Sequence, residues 1–166
     1  MRAIFLDRDG VICENRSDHV KSWNEFHFLP NALSGLAQLA RTDFASIVVT
    51  NQAVINRGLV PASVIAGIHQ HMLNQVQRAG GRIDHVMVCP HRTDEFCACR
   101  KPQPGLLLRA AAEMNIDLAQ SYLIGDAVTD IQAGLAVGCT CFMVMTGRGT
   151  KQATQVYGQA LPGVRY

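Results

Sequence analysis

Two aspartates, Asp7 and Asp9, stand two residues apart where the apolar run Ala3–Leu6 ends in "LDRDGVI". On an extended chain both side chains point the same way, and carboxylates that close repel unless something cationic sits between them. The pair is either a solvated strand end or part of a metal site. A second cluster is denser: "CPHRTDEFCACRKP" carries Cys89, His91, Cys97 and Cys99 as C-x-H followed by C-x-C. Three thiolates and one imidazole fit a closed tetrahedral structural Zn²⁺ site with no position left for a substrate.

Such groups need a scaffold. Five short β-rich runs, Ala3–Leu6, Ser46–Thr50, Asp84–Cys89, Ser121–Ile124 and Cys139–Val144, alternate with helix-like segments at Asn31–Arg41, Pro61–Ala79, Gly105–Met114 and Val128–Ala136. Alternation of this kind predicts an α/β fold with a central parallel sheet and crossover helices. Ligands of such sheets bind beyond the carboxyl ends of the strands. Asp7 and Asp9 follow the first strand, Thr50 and Asn51 end the second, Cys89 ends the third, and Asp126 follows the fourth.

The chain of 166 residues predicts a single domain over 1–166, with 48% hydrophobic residues for a core that needs no disulfide staples. A net charge of +2 and a pI near 8.3 argue against nucleic acid or membrane as partners. The N-terminus lacks a signal-peptide pattern, and no apolar run approaches the roughly 18 residues of a membrane span, so a cytoplasmic protein is expected. Cys13, Cys139 and Cys141 have no histidine nearby in sequence and read as packing thiols. His69 and His71, two apart on a helix, do not share a face as metal ligands would.

Four motifs occur in order: "DRDGVI", "VVTNQ", "RKPQPG" and "IGDAVTDIQAG". Together they resemble the haloacid dehalogenase (HAD) superfamily of phosphohydrolases, and the resemblance implies a Rossmann-like three-layer fold. By that resemblance Asp7 is the nucleophile that forms an aspartyl-phosphate, and Asp9 is the general acid and base. Mg²⁺ would be held by Asp7 and Asp126 through carboxylate oxygens and by Asp9 through its backbone carbonyl. Thr50 and Asn51 would donate to the phosphoryl oxygens, and Lys101 would offset the charge developing there. Asp130, four residues after Asp126, either assists the metal or caps a helix.

Within the superfamily, the zinc loop and the short segment 13–30, too short for a helical cap, resemble the group of D-glycero-D-manno-heptose 1,7-bisphosphate phosphatases and histidinol-phosphate phosphatases. "FHFLPNAL", "NRG" and "RKPQPGLLL" resemble the heptose branch more closely. The implied partner is a small phosphorylated substrate, held by Arg57 and Arg100, and a monomer is expected. Ala53-Val54 and Ala127 depart from the pattern, which commonly has Ser-Gly and a basic residue there. The alternatives are a histidinol-phosphate phosphatase, a related small-molecule phosphomonoesterase, or a phospho-aspartate signalling module. Asp9 and the zinc loop speak against the last.

Overall fold

The computed structural model describes residues 1–157 and 163–165. Eleven elements alternate along the chain: β1 (Ala3–Leu6), α1 (Ala32–Leu39), β2 (Ala45–Asn51), α2 (Ala62–Arg78), β3 (His85–Cys89), α3 (Gly105–Met114), β4 (Tyr122–Gly125), α4 (Val128–Leu135), β5 (Thr140–Met143), α5 (Gly149–Tyr157) and β6 (Val164–Arg165). The strands form one parallel sheet in the order β3-β2-β1-β4-β5-β6. The five expected strands are present, β1 with the expected bounds and the others shifted by one residue at one or both ends. The helix α5 and the strand β6 were not expected.

The period-two alternation of the strands builds a core on each face. Ala3 and Phe5 of β1 face Leu107 and Ala110 of α3, Ile131 of α4 and Val156 of α5. Ile4 and Leu6 face the other way, toward Leu36 of α1 and Ile65, Ile68, Met72 and Val76 of α2. Three layers result. Because both faces are covered, β2 is buried along nearly its whole length.

β1 lies between β2 and β4, so the chain leaves it toward one face and reaches β4 from the other. Loops diverge at such a switch point and leave a crevice. In register, Leu6 pairs with Val48 and Ile124, and Asn51 pairs with Cys89. Asp7 continues β1 and donates its backbone N–H to Ile124 O at 3.0 Å, which brings it beside Gly125 and Asp126. Segment 13–30 carries only the 3-10 turn Trp23–Glu25 and short bridges of Cys13 to Asp9 and Phe28. Trp23 anchors it, stacking on Phe26 and on His71 of α2 at 5.0 and 5.2 Å.

Candidate active site

A cleft of about 320 Å³ opens over the carboxyl ends of β1, β2 and β4, lined by Asp7, Asp9, Asn51, Arg100, Lys101, Asp130 and Arg148 among others. Lys101 is the buried hub. Its Nζ donates to Asp7 Oδ1 at 2.8 Å and to Val49 O at 2.7 Å, and lies 2.6 Å from Asp130 Oδ1. Burial alone would lower the ammonium's affinity for its proton, but Asp130 and Asp7 outweigh it and hold Lys101 above its usual value. Asp7 is pushed up to about 7, chiefly by burial and against the pull of Lys101.

Asp130 caps α4, its Oδ2 accepting from Ala127 N at 3.0 Å while the other oxygen lies beside Lys101. It also lies with Asp7 and Asp126 in a buried group whose ligand oxygens are within 4.8 Å of one another. An all-oxygen, triply anionic donor set of this kind fits Mg²⁺. Asp126 is itself bonded by Arg148, through the backbone N–H to Oδ2 at 2.7 Å and Nη2 to Oδ1 at 3.0 Å. Gly10 and Gly147 make this packing possible. A Cβ on either would stand 2.2 Å from Asp126 Oδ2, and both have positive φ, at +92° and +55°.

Asp9 points away from Lys101. Arg8 grips it from Nε and Nη2 at 3.1 and 2.9 Å, Gln52 donates to it at 2.9 Å, and the Cys13 thiol lies 3.6 Å away. Burial would raise the Asp9 carboxyl, but Arg8 and Gln52 prevail and hold it below its usual value. Arg8 is 1% exposed, and its Nη1 faces His69 Nε2 at 3.1 Å. Desolvation and the guanidinium press His69 down to about 4, so the imidazole is neutral.

The expected phosphate donors are placed less simply. Thr50 is buried and accepts from Gln52 Nε2 at 2.8 Å. Asn51 lines the cleft, but its amide is engaged at both ends by the Lys101 backbone, each bond 3.1 Å. It positions the lysine. Arg100 lines the cleft, whereas Arg57 is exposed and meets it only through His19, whose Nε2 is 2.9 Å from Arg57 Nη1. Ala53 also lines the cleft, and Val54 is fully buried in the core beside α2.

Cys89, His91, Cys97 and Cys99 converge. Their sulfurs are 3.3 to 3.7 Å apart, and His91 Nδ1 is 3.3 and 3.5 Å from Cys99 and Cys89. Tetrahedral bonds of about 2.3 Å put sulfurs roughly 3.8 Å apart, so the cluster fits zinc. The loop is tied to its surroundings by Arg100 Nη1 to His91 O at 3.1 Å and Asn56 Nδ2 to Glu95 Oε1 at 2.9 Å. Cys139 and Cys141 stand apart from it. Burial pushes both thiols up to about 12, as packing residues require.

Sequence reasoning missed Arg8, Gln52, His69 and Arg148. Gln52 was within reach, since it closes "VVTNQ". Arg148 follows the fifth strand on the same sheet edge, but no motif marks it.

The HAD-hydrolase-like family matches residues 98–161. The D-glycero-beta-D-manno-heptose-1,7-bisphosphate 7-phosphatase of Bordetella bronchiseptica is 38% identical over 93% of this chain and 87% of its own length. That of Pseudomonas putida is 36% identical over 91% and 86%. The crystal structure of the Bordetella bronchiseptica D,D-heptose 1,7-bisphosphate phosphatase complexed with magnesium and phosphate superposes with a TM-score of 0.94, covering 99% of this chain and 91% of that one at 38% identity.

Proposed function

The chain belongs to the family of D-glycero-beta-D-manno-heptose-1,7-bisphosphate 7-phosphatases, HAD-superfamily phosphoric monoester hydrolases, and on that premise we propose that it removes one phosphate from a heptose 1,7-bisphosphate. One observation carries the choice of substrate. The buried carboxylates in the cleft are all paired with cations, Asp9 with Arg8 and both Asp7 and Asp130 with the shared Lys101, while Arg16 and Arg100 line its wall. A second anionic group finds partners there. The amine of histidinol phosphate would find no free carboxylate among the described lining residues.

In this reading the Asp7 carboxylate attacks phosphorus, an O–P bond forms, and the P–O bond to the sugar breaks. Lys101, fixed by three contacts, offsets charge on the phosphoryl oxygens, and Thr50 completes the cradle. Asp9 gives its proton to the departing alkoxide and later takes one from the water that cleaves the aspartyl-phosphate, so its proton count closes. Its grip by Arg8 and Gln52 favours the ionised form suited to that second half; the first half requires the carboxyl to turn from Arg8 into the cleft. Asp7, Asp126 and the Asp9 carbonyl would hold Mg²⁺, which supplies charge neutralisation at the phosphoryl group. The cysteine cluster would hold structural zinc, and its thiols suit a reducing, cytoplasmic location. We read the chain as a monomer, which light scattering tests.

Phosphate release from sugar mono- and bisphosphates and histidinol phosphate decides the substrate. The bisphosphate should give the highest kcat/KM, and a clear preference for histidinol phosphate would overturn the reading. Asp7→Asn should abolish turnover with near-UV circular dichroism unchanged, and near-normal rates in that variant would sink the mechanism.

A further inference from the structure

Three buried carboxylates, Asp7, Asp126 and Asp130, share the cleft floor with two cations, Lys101 and Arg148. The two cations are held very differently. Lys101 is 2% exposed and bonded on all sides, so it is part of the framework. The Arg148 side chain is 43% exposed, and its contacts are confined to the acidic groups: Asp126 Oδ1 at 3.0 Å, a long 3.4 Å approach of Nε to Oδ2, and Asp7 Oδ2 at 3.9 Å. Its main chain, by contrast, is pinned. The backbone N–H bonds Asp126, Thr146 Oγ1 donates to Gly10 O, and Gly149 N bonds Thr146 O at 2.8 Å. A fixed backbone thus carries a partly exposed guanidinium directly over the two carboxylates expected to bind the metal.

A divalent cation and this guanidinium want the same oxygens. At this range, out of bulk water, like charges repel appreciably. The charge count gives the sequel: with all three carboxylates ionised, as ligation of a divalent ion requires, they and Lys101 sum to −2, which that ion cancels without Arg148. With the metal in place the arginine has no anion left to serve except the incoming phosphate, and it lines the same cleft as Asp7, Asn51 and Lys101.

We propose, on the phosphoryl-transfer reading above, that Arg148 is a positioning residue that exchanges between metal carboxylates and substrate phosphate, opposing Mg²⁺ in the free enzyme and making Mg²⁺ and phosphate bind cooperatively. Linkage is reciprocal: whatever phosphate does for the metal, the metal does for phosphate, and Arg148 carries part of both.

The test is calorimetric and needs no turnover. Mg²⁺ is titrated into wild type, Arg148→Met and Arg148→Lys, each with and without inorganic phosphate, after circular dichroism has verified the fold. The Met variant keeps the backbone N–H to Asp126 and loses the charge together with the guanidinium donors. It should bind Mg²⁺ alone roughly fivefold tighter or more, and in saturating Mg²⁺ bind phosphate roughly tenfold more weakly, a coupling of ordinary size. Arg148→Lys should stay near wild type on both counts. Unchanged or weaker Mg²⁺ binding by Arg148→Met overturns the proposal, as does unaltered phosphate binding. A purely structural arginine would weaken both ligands together. Should Arg148→Met fail to fold, Arg148→Gln, neutral but still a donor, is judged by the same two numbers. Should the protein prefer another phosphomonoester, the substrate reading falls and these binding constants still decide the role of Arg148.

Discussion

The side chain that organises the site is Lys101, a buried cation between two buried carboxylates. Lys101→Met should cut kcat by roughly 10²- to 10³-fold, the usual cost of losing a preorganised electrostatic stabiliser. It should also lower stability by about 3 to 5 kcal/mol, because Asp7 and Asp130 stay buried without their counter-ion. Phosphate release and urea denaturation read the two effects separately, and an unchanged denaturation midpoint would contradict the second. Asp7 and Asp126 were legible because their motifs fall at strand ends, and Lys101 because its motif sits in the loop after β3. Arg8 was not. Alternation sends it to the opposite side from Asp7 and Asp9, where an arginine ordinarily reads as solvated; here that side is closed by α2, and His69 receives it. Nothing in one sequence announces a partner 61 residues away.

Among elements, the loop between β3 and α3 matters most. It carries His91, Cys97 and Cys99 beside Cys89 at the end of β3, passes through Lys101, and is locked to α3 by Gly105 N to Ala98 O at 3.0 Å. Stripping zinc with a chelator should therefore lower activity in a way that added Mg²⁺ does not restore, while opening residues 89–100 to proteolysis. Protein purified without chelator but lacking zinc would defeat this account. The loop after β5 offers a sharper test. Gly147→Ala drives a methyl into Asp126 and Gly10 at a positive φ, so it should cost about 1 to 3 kcal/mol and disturb Mg²⁺ binding. Calorimetry and thermal unfolding check both. The first five strands and the first four helices were readable from their periodicity. The helix α5 was not, since among the described side chains of "GTKQATQVY" the buried apolar ones are Ala153 and Val156, too few for a stripe.

For the whole molecule, buried His69 ties stability to pH. Its proton affinity falls from about 6.5 to about 4 on folding, so between those values the unfolded chain binds more protons than the folded one. Stability from this group is complete above pH 6.5, falls as pH drops toward 4, and changes no further below it. The difference of 2.5 pH units amounts to about 3 kcal/mol at most. Replacing His69 by Gln should flatten that limb by up to about 1.4 kcal/mol per pH unit. Urea denaturation of both proteins at pH 7, 5.5 and 4.5 measures the difference, and parallel profiles would show that His69 does not titrate as a unit with folding.

The place of β1 in the sheet also governs how the protein can be made. Of the described strands β1 comes earliest in the chain yet lies inside the sheet, and its second neighbour, β4, is not finished until Gly125. Until then a half-sheet of β3, β2 and β1 presents the unpaired backbone of β1 together with Ala3 and Phe5, side chains destined for the core under α3, α4 and α5. An apolar strand edge held open during synthesis invites pairing with the wrong chain. That edge is closed only by later parts of the chain, and because Asp7 gains Lys101, Asp126 and Arg148 only from there, the first phosphate released reports that the last half has closed over the first.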